Sequence, residues 1–273
     1  MVELEGHGVS SARGIELAYS VLGEGASVLL IHETATSSRA WEPVAHAVAD
    51  GARAIRYDRR GWSDAATPDG YRRTTIAEQS EDAAALLEAD AGGPAVAAGA
   101  GIGAVIALDL LLRRSELVSG AVLVEPPLLA LLPEATEILS SDLSALEAEA
   151  GRGRDALADL YLSGGLGALG AGASRLPPEL TAPGRERTGS VVAELGAVPS
   201  WGMPLAHLRG ATGCSRIVVS PESPRLLSAA AEALAVRLAG SELLRVGTGH
   251  GPAHVEDPAG VAALAVELAA AES

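Results

Sequence analysis

Short apolar runs of strand length alternate along the chain with stretches whose apolar residues return every three or four positions. Ser27 to Ile31 is such a run, and behind Ser37, a helix N-cap residue type, Trp41, Val44, Ala45 and Val48 recur at helical spacing. Ala52 to Tyr57 predicts the next strand, and Thr75 with Glu78 predicts a capping box for a helix reaching Ala89. Ala95 to Ala98, Gly120 to Val124, Ile217 to Val219 and Leu243 to Val246 predict further strands. Ser223 with Pro224, and Asp257 with Pro258, mark two more helix starts. Val2 to Val9 and Gly14 to Val21 alternate loosely and predict an antiparallel pair. Strands alternating with helices form βαβ units, hence an α/β fold with a mainly parallel sheet whose ligands gather at the carboxyl ends of the strands. From Leu128 to Leu208 the alternation stops. Short helical patterns, a glycine-rich piece at Ser163 to Ala173 and several prolines stand there instead. The pattern predicts a core of residues 1–127 and 209–273 with a helical lid, residues 128–208, inserted into it.

At the centre of the chain the strand ending at Ala98 runs through Gly99-Ala100-Gly101-Ile102-Gly103 into an almost wholly apolar helix that stops at Arg113 and Arg114. The glycine spacing is that of the G-x-S-x-G nucleophile elbow, with Gly101 where the serine would stand. Gly101 is therefore expected at φ > 0, with its own N–H and that of Ile102 turned to a pocket.

Composition narrows the partners. The formal net charge of −15, from 35 acidic and 20 basic residues, opposes binding to nucleic acid or an anionic membrane. Cys214 is the only cysteine, so neither an intrachain disulfide nor a thiolate metal cluster is expected, as suits the cytoplasm. Met1 to His7 carries acid where an export signal would be basic, and Asp109 breaks the longest apolar stretch before it could span a bilayer. The expectation is a soluble, cytoplasmic protein with no membrane or nucleic-acid partner; a homodimer is compatible with it. With no P-loop, no dinucleotide fingerprint in its proper context and no metal-ligand spacing, neither metal nor cofactor is expected.

Five motifs stand in order: His32-Glu33 after a strand, Tyr57-Asp58-Arg59-Arg60-Gly61-Trp62 after the next, the glycine turn, Val124-Glu125-Pro126-Pro127, and Gly249-His250. In this the chain resembles the α/β-hydrolase superfamily over nearly its whole length outside the lid. The resemblance implies an eight-stranded, mostly parallel sheet, a lid between the sixth and seventh strands, and a triad in the order Ser, Asp or Glu, His. Carried over, it places the nucleophile at Gly101, the acid at Glu222 and the base at His250, with the N–H groups of Ile102 and Thr34 as oxyanion donors. The chain departs from the family pattern at Gly101, at Glu33, where a glycine usually follows the histidine, and in the short loop Arg60-Gly61-Trp62-Ser63.

Losing Ser from a triad that works as a unit costs about 10⁶ in kcat, so ordinary ester hydrolysis is not expected. His250 suits proton transfer near neutral pH, with Glu222 to orient it. Glu33, beside the oxyanion position, opposes a developing negative charge yet can exchange a proton when buried; a solvent-facing carboxylate is the alternative. Glu125, at a strand end, is a pocket acid, another partner for His250 or a cap for a lid helix. His254 is read as structural and His32 chiefly as a brace. His32, Thr34, Gly101, Ile102, Glu125 and Trp62 form the expected binding wall. The lid runs Leu128 to Leu132, Leu160 to Leu162 and Trp201 to Met203 make the expected ligand a hydrophobic small molecule. The leading expectation is a non-hydrolytic enzyme of natural-product tailoring type, using His250, Glu222 and Glu33 in a lyase, cyclisation, C–C bond-forming or rearrangement step. The alternatives are an inactive ligand-binding protein and a hydrolase whose nucleophile is displaced to Thr34, Ser37 or Ser38.

Overall fold

A computed structural model of the chain describes residues 7–10, 14–202 and 205–271. The strands are β1 (His7–Ser10), β2 (Glu16–Leu22), β3 (Ser27–Ile31), β4 (Arg53–Tyr57), β5 (Ala95–Ala100), β6 (Val118–Val124), β7 (Cys214–Val219) and β8 (Ser241–Arg245). They form one sheet in the order β1-β2-β4-β3-β5-β6-β7-β8. β2 runs antiparallel to β1 and β4, and every later pairing is parallel. The expected opening pair is present, although Val2 to Gly6 lie outside the described residues, as does Met203 of the expected lid. β3 and β5 are buried at every position. Parallel strands read this way when helices cover both faces of the sheet.

On one face α1 (Glu42–Val48) packs against the C-terminal helix Pro258–Ala270, with Trp41, Val44, Val48, Val261 and Ala265 fully or almost fully buried between them and the sheet. On the other, α2 (Ile76–Asp90) and α3 (Ile102–Arg113) bury Ile76, Leu86, Ile106 and Leu110. Each such aliphatic side chain contributes about 1.5–3 kcal/mol by leaving water. Local chemistry sets the helix ends. Thr75 accepts the Glu78 N–H at 3.1 Å, and Asp257 accepts that of Gly260 at 2.9 Å, both as the sequence predicts. Two expected caps differ. The Ser37 hydroxyl makes no capping bond, because a 3-10 turn, Ser38–Trp41, intervenes before α1. At the other site Pro224 itself is the N-cap, at φ −48° and ψ 138°, and the helix begins at Arg225.

Between β6 and β7 lie α4 (Ala135–Glu149), α5 (Arg154–Leu162), α6 (Ala182–Glu186), α7 (Thr188–Glu194) and α8 (Leu205–Leu208). After β7 come α9 (Arg225–Ala235), α10 (Ala253–Glu256) and α11, the C-terminal helix. Part of the glycine-rich stretch is ordered by a single acid. The buried carboxylate of Asp142 accepts the N–H groups of Gly167, Ala168 and Leu169 at 2.8, 2.8 and 2.7 Å. Three backbone donors that helix or sheet would otherwise satisfy find their acceptor there.

Candidate active site

β5 ends at Ala100 and α3 starts at Ile102, so Gly101 alone makes the turn between them. It takes φ 54° and ψ −124°, the positive φ that the motif predicts and that strains any residue with a side chain. Gly103 is needed for a different reason: a β-carbon on it would lie 2.2 Å from the Ile31 carbonyl oxygen, so helix and strand meet backbone to backbone. The Ile102 N–H is among the N-terminal donors that have no acceptor within their own helix. The Gly101 N–H was expected to face the pocket and does not. It donates to the Val124 carbonyl at 3.1 Å, because β6 runs in register beside β5.

Over this turn lies a cavity with a volume of about 140 Å³. Leu128, Leu129, Leu169, Val198, Trp201 and Leu227 are among the residues of its apolar wall, and Thr34, Gly101, Ile102 and Tyr161 also line it. Burial, with the charges of Glu33 and Glu194, pushes the Tyr161 phenol up, so its hydroxyl stays protonated. Three carboxylates reach the cavity: Glu33, Glu125 and Glu194. Two are neutralised from behind. Glu194 Oε1 lies 2.5 Å from Arg59 Nη1, and Glu194 also accepts from Trp62 Nε1 and Thr34 Oγ1, each at 2.7 Å. Glu125 sits at φ 46°, held there by Arg175 Nη1 at 2.6 Å and the Ser220 hydroxyl at 2.9 Å.

Glu33 differs, having no guanidinium partner among the described residues. Its Oε1 faces His254 Nε2 at 3.3 Å. His254 is fully buried on α10 and stacked on Trp41, with ring centroids 4.8 Å apart and planes at 19°. Neither imidazole nitrogen nor Glu33 Oε1 makes a well-formed hydrogen bond, a rare state for buried polar atoms and one that calls for a cause. A β-carbon on Gly101 would come within 3.1 Å of Glu33 Cβ and 3.6 Å of its Oε2. A side chain at 101 would thus meet the Glu33 side chain, tightly at its β-carbon and at ordinary contact distance at its carboxyl oxygen.

His250 and Glu222 lie together, Nδ1 to Oε2. They do so outside the cavity, with side chains 88% and 54% exposed, and neither lines its wall. Their loop is held from two sides. Arg175 donates to the carbonyls of His250 and Gly251, while the Glu256 carboxylate accepts from Thr248, Gly249 and Gly251 N–H at 3.3, 2.7 and 2.5 Å. These three donors, Gly251 foremost, hold the Glu256 carboxyl below its ordinary pKa. A carboxylate depressed in this way stabilises the fold above its unfolded pKa and stops doing so as pH falls through the folded one. Amide protection factors at Thr248, Gly249 and Gly251 should therefore drop on acidification, and Glu256→Gln should reproduce the drop at neutral pH. Unchanged protection in the variant would remove Glu256 from this role.

A family model described as alpha/beta hydrolase family matches residues 28–264. The chain belongs to the alpha/beta hydrolase family. It is 36% identical over 129 residues to the uncharacterized hydrolase YraK of Bacillus subtilis (strain 168), a match covering 46% of this chain and 46% of that protein. The chain thus spans about half the length of that relative. Among solved structures, an alpha/beta hydrolase from Sphaerobacter thermophilus DSM 20745 is 24% identical, with a TM-score of 0.71 over 96% of this chain and 99% of that one. A thermophilic esterase from Thermogutta terrifontis is 19% identical, with a TM-score of 0.73 over 98% and 97%. At these identities the likeness is one of fold, and the α/β-hydrolase fold expected from the sequence is the one observed.

On this alpha/beta hydrolase framework two expected wall residues stand behind the wall. The Arg59 N–H donates to His32 Nε2 at 3.1 Å, which leaves the ring proton on Nδ1 to donate to the Glu33 carbonyl at 2.9 Å. Burial, and then the Arg59 charge, hold the His32 pKa well below its ordinary value, so this fully buried imidazole is a neutral brace. Trp62 is likewise fully buried, its indole N–H spent on Glu194. Thr34 lines the cavity with its hydroxyl committed to Glu194, and Ser37 and Ser38 face a separate polar depression beside Arg39 and Asp58. Arg175 and Glu194 carry no local sequence signal, and Tyr161 is marked only by its place in the apolar run Leu160 to Leu162; Arg59 and Glu194 stand 135 residues apart. Among the described residues no group of three or more His, Cys, Asp or Glu is placed to hold a metal ion, and no helix is long and apolar enough to cross a membrane.

Proposed function

We propose that this chain is a non-hydrolytic member of its family, an enzyme that moves protons on a hydrophobic small molecule with Glu33 as the transferring group. The observation that carries this reading is the Glu33 carboxyl group folded over Gly101, between an apolar cavity and the buried imidazole of His254. Acyl transfer would need a nucleophile at 101 and an imidazole within reach of it, and a carboxylate beside the oxyanion position would repel the charge that ester hydrolysis develops. Proton transfer makes the opposite demand: an acid or base within hydrogen-bond reach of the substrate, and donors for the group that is polarised as the proton moves. The Ile102 N–H at the start of α3 and the Tyr161 hydroxyl are such donors. Residues 128–208 act as the lid that keeps water out, and the chemistry is of natural-product tailoring type: a lyase, cyclisation, C–C bond-forming or rearrangement step. In this reading the solvent-facing His250–Glu222 pair takes no part. The test is direct. The protein should not turn over p-nitrophenyl esters above background, nor be labelled by a fluorophosphonate; stoichiometric labelling of Thr34, Ser37 or Ser38 would establish a displaced nucleophile and overturn the proposal.

A further inference from the structure

The charges around the cavity select its ligand: we infer that the molecule bound there is an apolar amine, held as its ammonium ion with an N–H donated to Glu33 Oε2. The inference rests on Glu33 being the group that meets the ligand, as proposed above, and does not require that Glu33 transfer a proton. Three carboxylates reach the cavity, and no basic side chain among the described residues lines it. Arg59 neutralises Glu194 and Arg175 neutralises Glu125, both from outside the wall. One carboxylate, Glu33, remains. Its Oε1 is turned to His254, while its Oε2 lies on the side of Gly101, which lines the cavity.

An ionised carboxylate only accepts hydrogen bonds. A ligand that enters the cavity strips water from Glu33, and burying a charge without a partner is costly. A neutral alcohol returns one hydrogen bond and no charge. A carboxylate ligand returns none and adds repulsion. An ammonium returns up to three donors and the opposite charge, in surroundings whose low polarity strengthens the attraction. The leucine, valine and tryptophan wall accommodates the rest of such a molecule, and the chain's net charge of −15 draws cations towards it. If Glu33 also transfers a proton, the step balances on nitrogen: an N–H bond breaks, an O–H bond forms on Glu33, and the ammonium becomes a neutral amine with its lone pair free.

The experiment measures binding of octylamine, octanol and octanoate to the intact protein by calorimetry and by the shift in melting temperature. Octylamine should bind at least about tenfold more tightly than octanol, the effect of one hydrogen bond to a charged group, and octanoate more weakly still. In Glu33→Gln the preference for amine over alcohol should collapse to within about threefold. The wild-type series alone is decisive should that variant not fold. Equal binding of octanol and octylamine would mean that His254 already cancels the Glu33 charge and would overturn the inference. Tighter binding of octanoate, absence of saturable amine binding, or survival of the amine preference in Glu33→Gln would overturn it equally. Failure of the proton-transfer reading shows itself elsewhere, in turnover and labelling.

Discussion

Glu194→Ala should lower the unfolding free energy by about 3–5 kcal/mol, the cost of leaving one partner of a buried ion pair without the other. Arg59 and Glu194 both have fully buried side chains, and the guanidinium makes bonds of 2.5 and 3.2 Å to the carboxylate. The same carboxylate accepts from Thr34, Trp62 and Gln79, so its removal takes the acceptor from three further donors. The position also matters to the architecture. Glu194 ends α7, in the inserted helical segment, whereas Arg59 follows β4, so the pair fastens that segment to the core. Urea unfolding checks the magnitude through the midpoint at constant slope. Replacing both groups by apolar residues, Arg59→Met with Glu194→Leu, should cost clearly less than the sum of the single losses, because no charge is then stranded. A loss below about 1 kcal/mol for Glu194→Ala would place the pair in the range of solvent-exposed ion pairs and contradict its burial.

Glu33→Gln should lower kcat by at least about 10², because a group that transfers a proton makes its main contribution in the transition state. Glutamine keeps the size of the side chain and an oxygen acceptor beside His254, so the unfolding midpoint should change far less than in Glu194→Ala. The amide cannot take up the proton. The loss in kcat should therefore exceed any rise in KM, and the split between them separates chemistry from the weaker ligand binding that follows from the lost charge. A substrate turned over at the wild-type rate by Glu33→Gln would end the proton-transfer reading. A ligand that binds with no turnover by either form would establish the binding-protein alternative instead.

Much of the fold was legible because it is written in near neighbours. Runs such as Ser27–Ile31, the helical repeat of Trp41, Val44 and Val48, and the caps Thr75 and Asp257 each depend on residues within a few positions, and all stand where the pattern puts them. The turn at Gly101 belongs to the same class. One residue between a buried strand and a buried helix has to reverse the chain sharply, and glycine spacing records that demand. The two caps that failed, at Ser37 and Ser223, failed by one turn or one residue, because a 3-10 turn and a proline shifted the helix start.

The site was only half legible, and the divide falls at the histidines. The resemblance to the family put Glu222 and His250 forward as acid and base, and the two do lie together, but it did not give the direction in which the pair faces. The loop backbone that carries the pair is held by Arg175, 75 residues before His250, and by the Glu256 carboxylate. His254, read as structural, is stacked on Trp41 and brought onto Glu33 by the packing of α10, a contact the sequence did not anticipate. Periodicity, capping and glycine spacing by themselves determined the elements, their order and the sharp turn. Which of two histidines meets which acid, and which carboxylate is left without a guanidinium, was decided only when residues remote in sequence were packed together, because a buried charge takes its partner from whatever the whole fold places beside it.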